Sequence, residues 1–163
     1  MGELAVFIIL SVVTLVSAVV VVTSGNIVRS ALSLVPTFLG VTGLYILLQA
    51  EFVAGIQVLI YAGAITVLIL FVIMLTEGGT GLRTRQTNEQ VVAGLLASAV
   101  LATLFVAVFT HTQWPKGAGS LPAYTAGPIG QTFLTSAVLI FEVTSLVMLV
   151  SLLGAIIVAR QER

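Results

Sequence analysis

Residues 51–75 read EFVAGIQVLIYAGAITVLILFVIML, and the two halves of this stretch differ in composition. From Ile65 onward the residues are almost all apolar, whereas the half before it carries a glutamate, a glutamine, a tyrosine and two glycines. The stretch exceeds the roughly 20 residues that a helix needs to cross the apolar core of a bilayer. It therefore predicts a transmembrane helix whose first half contains helix-weakening and hydrogen-bonding residues.

The whole chain has the composition of an integral membrane protein. Of its 163 residues, 59% are hydrophobic and only 7% are charged, whereas a soluble domain has about 25% charged residues. The formal net charge is 0, so nothing indicates a nucleic-acid partner. Cysteine is absent and there is one histidine, which excludes disulfides and thiolate metal sites and disfavours haem or iron–sulfur ligation. We therefore expect the chain to be surrounded by the lipid bilayer and by other membrane proteins.

Five apolar runs have the length of a membrane-spanning helix. They cover residues 4–22, 27–48, 53–75, 91–110 and 136–158. No alternating strand pattern is present, and helices satisfy their own backbone hydrogen bonds in lipid. The sequence predicts an all-α integral membrane protein, a single transmembrane domain over residues 1–163 built as a bundle of five helices. The longest predicted loop covers residues 111–135.

Basic residues predict the orientation of this bundle. One side holds five arginines, and the other side has only Lys116 and the amino terminus. The five are Arg29, Arg83, Arg85, Arg160 and Arg163. Because basic loops stay in the cytoplasm, we expect the N-terminus outside and the C-terminus in the cytoplasm. No internal repeat is visible, which argues against a transporter built from inverted repeats.

Two acidic residues lie in or beside the apolar runs. Glu142 falls inside the fifth run, where an ionised carboxylate costs about 3 kcal/mol, so it should face protein or water. It shares a helical face with Thr135, Val138 and Ser145. It either carries protons or holds helices together through hydrogen bonds. Glu51, at the mouth of the third run, is either part of a proton path or a solvated acid favoured by the helix dipole.

The polar half of the third run allows two interpretations. With α-helical spacing, Gln57, Tyr61 and Ala64 share one face, which Leu68 continues. Gly63 weakens the same turn, since glycine inside a helix costs about 1 kcal/mol relative to alanine. The turn is therefore either a hinge with a π-type hydrogen-bond pattern, often found at functional sites, or a point where another helix approaches closely. Spacing alone leaves both open.

The segment IYAGAITVLILFVIML, residues 60–75, resembles the third helix of the J subunit of bacterial respiratory complex I, the counterpart of mitochondrial NADH dehydrogenase subunit six. The preceding EFVAGIQVLIYAGAI, residues 51–65, is similar to the beginning of that helix. The segment IFEVTSLVMLVSLLGAIIVARQER, residues 140–163, looks like the family's last helix, including an acid at Glu142.

This resemblance implies a cofactor-free subunit of a proton-translocating NADH:quinone oxidoreductase in the bacterial cytoplasmic (inner) membrane. Its third helix would carry a π-bulge that forms and relaxes during turnover, and so couple quinone reduction to proton transfer. The residues implied in this conformational switch are Tyr61, Gly63, Ala64, Val67 and Leu68. Val67 or Leu68 would block a water path in one winding. The candidates for the proton path are Glu142, Gln57 and Glu51.

The resemblance also implies partners. NADH, FMN, iron–sulfur clusters and quinone are expected in other subunits, and no catalytic or metal site is expected in this chain. The neighbours would include the quinone-site subunit and the small glutamate-bearing subunit beside the antiporter-like subunits. The alternatives are a subunit of a multi-component cation/proton antiporter related to complex I, and an autonomous small transporter. Co-purification with partners and quinone-dependent NADH oxidation distinguish the three.

Overall fold

The computed structural model describes residues 2–76, 90–113 and 124–160, and within these ranges it is helical without a strand. Five helices are long and apolar enough to cross a membrane, and we call them the first to fifth spans. They are Gly2–Thr23, Ile27–Leu47, Glu51–Thr76, Val91–His111 and Val138–Ala159. The all-α fold with five membrane-spanning helices is confirmed, and every boundary lies within two residues of its predicted position.

The second span consists of two helices. The first span is α1 (Gly2–Thr23), and the second comprises α2 (Ile27–Leu32) and α3 (Leu34–Leu47). Asn26 begins α2 because its side-chain oxygen accepts the N–H of Arg29 at 2.9 Å, a hydrogen bond that satisfies one of the free amides of a helix N-terminus.

The break between α2 and α3 lies at Ser33, three residues before Pro36. Proline lacks an N–H, so it is tolerated in the first turn of α3, where that amide would have no partner within the helix. The hydroxyls of Ser33 and Thr37 donate to the carbonyls of Arg29 and Ser33 at 2.9 and 2.8 Å. Hydroxyl groups therefore bind backbone carbonyls before the break and at the break itself.

Two glycines of α3 bring it against α1. A Cβ on Gly43 would lie 2.6 Å from Leu10 Cδ2, and a Cβ on Gly40 would overlap the hydroxyl of Thr14. Gly40 is itself buried. Close approach through small residues is the usual basis of helix association in membranes, where the hydrophobic effect no longer drives it.

We expect Gly40→Ala to destabilise this helix pair, because the added methyl meets the Thr14 side chain. Overpacking of this kind typically costs about 1–3 kcal/mol. Gly94→Ala is the matched control, since nothing lies within 4 Å of its Cβ position in the described chain. The amount of assembled protein in membranes and its thermal unfolding after purification should fall only for Gly40→Ala. Equal behaviour of the two variants would contradict the role of Gly40.

The third span changes its winding along its length. It begins as α4 (Glu51–Ile56), continues as a π-helix over Gln57–Ile65, here called the π segment, and ends as α5 (Thr66–Thr76). The π segment packs against α3, and α5 packs against α2. The third span therefore passes from π to α at the level where the second span breaks at Ser33.

The remaining helices are α6 (Val91–His111), α7 (Ala126–Leu134) and α8 (Val138–Ala159). Helices α1 to α6 belong to one compact unit, whereas α7 and α8 form a second. None of the described residues of α6 is buried.

One sequence prediction is wrong here, since α7 occupies part of the predicted loop 111–135. Pro128 lies in its first turn, where it removes no helical hydrogen bond, and the nine residues of the helix are far fewer than a membrane span needs. Arg83, Arg85, Lys116 and Arg163 lie outside the described residues, so the orientation stays a prediction.

Candidate functional site

The π segment is the irregular backbone feature on which the candidate site is built. At its end the N–H of Thr66 donates to the carbonyls of Tyr61 and Gly63, five and three residues earlier. In an α-helix this N–H would instead bind the carbonyl of Ala62. The predicted π-type winding of the third helix is confirmed.

This winding decides which side chains face the second span. Gln57 and Thr66 are both buried, with 8% and 0% of their surfaces exposed. At 3.6 residues per turn, the nine steps between them make about two and a half turns, which would place them on opposite faces. With five-residue hydrogen bonding, at about 4.4 residues per turn, nine steps make about two turns. The π segment therefore brings Gln57 and Thr66 to the same side.

The face predicted from α-helical spacing is consequently retained only in part. Tyr61, four steps after Gln57, stays on its side and contacts α3, whereas Ala64 and Leu68 turn away from it and are exposed. The buried side runs instead from Gln57 to Thr66 because the wider turns rotate each later residue away from its α-helical position.

Gly63 allows the backbone to take this winding. A Cβ at Gly63 would lie 3.2 Å from the carbonyl oxygen of Val58, five residues earlier. No atom of another described helix lies within 4 Å of that position. Of the two interpretations left open by the sequence, the described chain therefore favours a change of winding over the close approach of a second helix.

Tyr61 connects the π segment to the second span. Its ring lies 5.5 Å from the ring of Phe38, centroid to centroid, at an interplanar angle of 59°. Tilted aromatic pairs of this kind contribute about 1 kcal/mol beyond the surface they bury. The contact holds the middle of the π segment against α3.

Two of the predicted switch residues, Val67 and Leu68, and the proton-path candidate Glu51 are exposed. Val67 and Leu68 are 61% and 65% exposed at the start of α5. Glu51 is the exposed first residue of α4. The described residues of this chain therefore leave these three side chains uncovered.

Glu142 lies in the second unit, on the second turn of α8. Its side chain is exposed, and no described residue hydrogen-bonds or ion-pairs with its carboxylate. The Ser145 hydroxyl donates to the Glu142 backbone carbonyl at 2.7 Å. Thr135 lies in the turn before α8, so the predicted polar face is reduced to Val138, Glu142 and Ser145.

Sequence reasoning missed Thr66. It is the single polar side chain between residues 65 and 75 and the most deeply buried residue of the third span. A single threonine in an apolar run forms no periodic pattern, so the sequence does not indicate that its hydroxyl binds the Tyr61 carbonyl. Its position three residues after Gly63 is the available signal.

Comparisons with known proteins agree on one family. The family described as NADH-ubiquinone/plastoquinone oxidoreductase chain 6 matches residues 17–158. F(420)H(2) dehydrogenase subunit J of Methanosarcina mazei is 42% identical over 98% of this chain and 92% of that protein. The chloroplastic NAD(P)H-quinone oxidoreductase subunit 6 of Mesostigma viride is 37% identical over 91% of this chain and 79% of its own length. NAD(P)H-quinone oxidoreductase chain 6 of Leptolyngbya boryana is 38% identical, with 96% and 79% covered.

Proposed function

The chain belongs to the NADH-ubiquinone/plastoquinone oxidoreductase chain 6 family, and from this membership we propose that it is a membrane subunit of a proton-translocating quinone oxidoreductase of the complex I type. The family match over residues 17–158 carries this proposal. The five membrane-spanning helices support a multi-pass membrane protein. We place it in the cytoplasmic (inner) membrane of a bacterium.

The electron donor binds elsewhere in the proposed complex. We propose that NADH, FMN, iron–sulfur clusters and quinone bind in other subunits. For the iron–sulfur clusters this is supported by the absence of cysteine and the single histidine of this chain. NADH is the proposed donor. A second candidate is reduced F420, because the relative from Methanosarcina mazei is named for that donor.

The proposed mechanism uses two windings of the third span. A protein can interconvert between two states that differ by a few kcal/mol, and events nearby shift their populations. Rewinding the π segment to an α-helix turns α5 relative to α4 about the helix axis. In one winding Val67 or Leu68 closes a water path between this chain and its neighbours, and in the other the path fills.

The proton path would then use carboxylates. Glu142 is the proposed carrier in this chain, with Gln57 and Glu51 as further polar groups along the path. An intramembrane acid is costly when ionised and is therefore best explained by function. The neighbours that complete the path are the quinone-site subunit and the small glutamate-bearing subunit beside the antiporter-like subunits.

An affinity-tagged chain tests the proposal. We expect it to retain many membrane and peripheral subunits after mild detergent extraction, and the assembly to reduce quinone with NADH or with reduced F420. Reconstituted vesicles should acidify during the reaction. Co-purification without oxidation of either donor would favour the antiporter alternative, and cation transport by the purified chain alone would favour the autonomous transporter.

A further inference from the structure

Thr66 makes two hydrogen bonds to one carbonyl. Its hydroxyl donates to the carbonyl of Tyr61 at 2.6 Å, and its N–H donates to the same oxygen. No part of the Thr66 surface is exposed. Both donors of this residue therefore bind a group five residues earlier, in the register of the π segment.

Threonines in the α-helices of this chain behave differently. Their hydroxyls donate to the carbonyl four residues earlier, as the side chain of a threonine in an α-helix can. Examples are Thr14 to Leu10, Thr37 to Ser33, Thr42 to Phe38 and Thr144 to Ile140. The partner of Thr66 in an α winding would be Ala62. The hydrogen bond from the Thr66 hydroxyl to the Tyr61 carbonyl therefore forms only in the π winding.

The hydroxyl strengthens the five-residue register at this point. The N–H of Thr66 donates to the carbonyls of Tyr61 and Gly63, and the hydroxyl adds a second hydrogen bond to the Tyr61 carbonyl. In an α winding the backbone bond to Ala62 would be intact, and an additional threonine bond to that carbonyl slightly destabilises an α-helix. The hydroxyl therefore stabilises the π winding more than the α winding.

The position of Thr66 suits a residue that controls winding. It is the first residue of α5, where the register returns from π to α. The π segment before it packs on α3 and the helix after it on α2. Rewinding would carry Thr66 out of its buried position beside the break at Ser33.

We propose that Thr66 is a positioning residue that latches the third span in its π winding through its hydroxyl. Thr66 sets the balance between the two windings and carries no protons itself. The consequence of this balance for proton transfer rests on the function proposed above.

Three variants of the assembled complex test this latch. Thr66→Val keeps the shape and removes the hydroxyl, Thr66→Ser keeps the hydroxyl, and Thr42→Val removes a buried hydroxyl that bonds in the α register. Particle images of the purified complex are classified by the backbone hydrogen-bond pattern at residues 57–66. The numbers of particles in the two classes give the ratio of π to α winding. We expect Thr66→Val to lower that ratio about fivefold, the effect of one typical hydrogen bond, while the other two variants leave it unchanged.

The readouts separate the latch from the function on which it rests. An unchanged ratio in Thr66→Val, or an equal change in Thr42→Val, overturns the latch. The protons moved per electron are measured in vesicles at equal amounts of assembled complex. If Thr66→Val lowers the winding ratio but leaves the proton stoichiometry unchanged, the latch is supported and the proposed coupling is overturned. If Thr66→Val lowers the winding ratio and the proton stoichiometry, and Thr66→Ser lowers neither, the latch and the coupling are both supported.

Discussion

Gly63→Ala is expected to shift the third span from its π winding to a regular α-helix and to lower the number of protons moved per electron. In an α winding, alanine is better than glycine by about 1 kcal/mol. In the π winding, the new Cβ would lie 3.2 Å from the Val58 carbonyl oxygen, closer than ordinary packing allows. The two effects act in the same direction.

The two contributions together give Gly63→Ala a larger expected effect on the winding ratio than Thr66→Val has. Crowding a Cβ against a fixed carbonyl adds about 1 kcal/mol at the low end of overpacking costs. Together they amount to about 2 kcal/mol, or roughly a thirtyfold change in the ratio of the two windings. The α state would then dominate unless the assembled complex favours the π state by more than this.

The measurement is proton translocation in reconstituted vesicles, compared with the rate of quinone reduction by the same sample. Gly55→Ala is the control, since Gly55 lies in α4 and nothing lies within 4 Å of its Cβ position in the described chain. It should leave the stoichiometry unchanged. Full proton stoichiometry in Gly63→Ala, with density showing a regular α-helix, would contradict a coupling role for the winding.

The spans could be predicted because their signal is length and apolarity, and neither depends on neighbours. The π winding could be predicted from local chemistry together with the resemblance, since Gly63 removes the side chain that opposes it. Its consequence could not be predicted. A face computed at 3.6 residues per turn across the π segment is displaced, because each wider turn rotates the residues that follow relative to those before it.

The contacts that hold the winding could not be read from the sequence either. Phe38 and Tyr61 meet across two spans, and no pattern within either span indicates that pair. The sequence around Gly40 does not indicate that this glycine packs against Thr14 of the first span. These features depend on the register between helices, which apolar periodicity leaves undetermined when most faces are apolar.

Glu142→Gln is expected to lower proton-coupled turnover about tenfold, which corresponds to about 1.4 kcal/mol of added barrier. Glutamine keeps the size of the side chain and its ability to accept and donate hydrogen bonds, but it carries no ionisable proton. The substitution therefore separates the two roles considered for Glu142. A carboxyl that only joins helices is replaced adequately by an amide, whereas a proton carrier is not.

Glu142→Ala completes the test because it removes both capacities. If Glu142 carries protons, Glu142→Gln assembles normally and loses coupled turnover, and Glu142→Ala loses at least as much. If Glu142 joins helices, Glu142→Gln stays active and Glu142→Ala yields less assembled complex. Glu3→Gln, in the exposed first turn of α1, controls for the loss of an acid outside the path. No described residue binds the Glu142 carboxylate, so the choice between the two roles follows from which property of this side chain the complex requires.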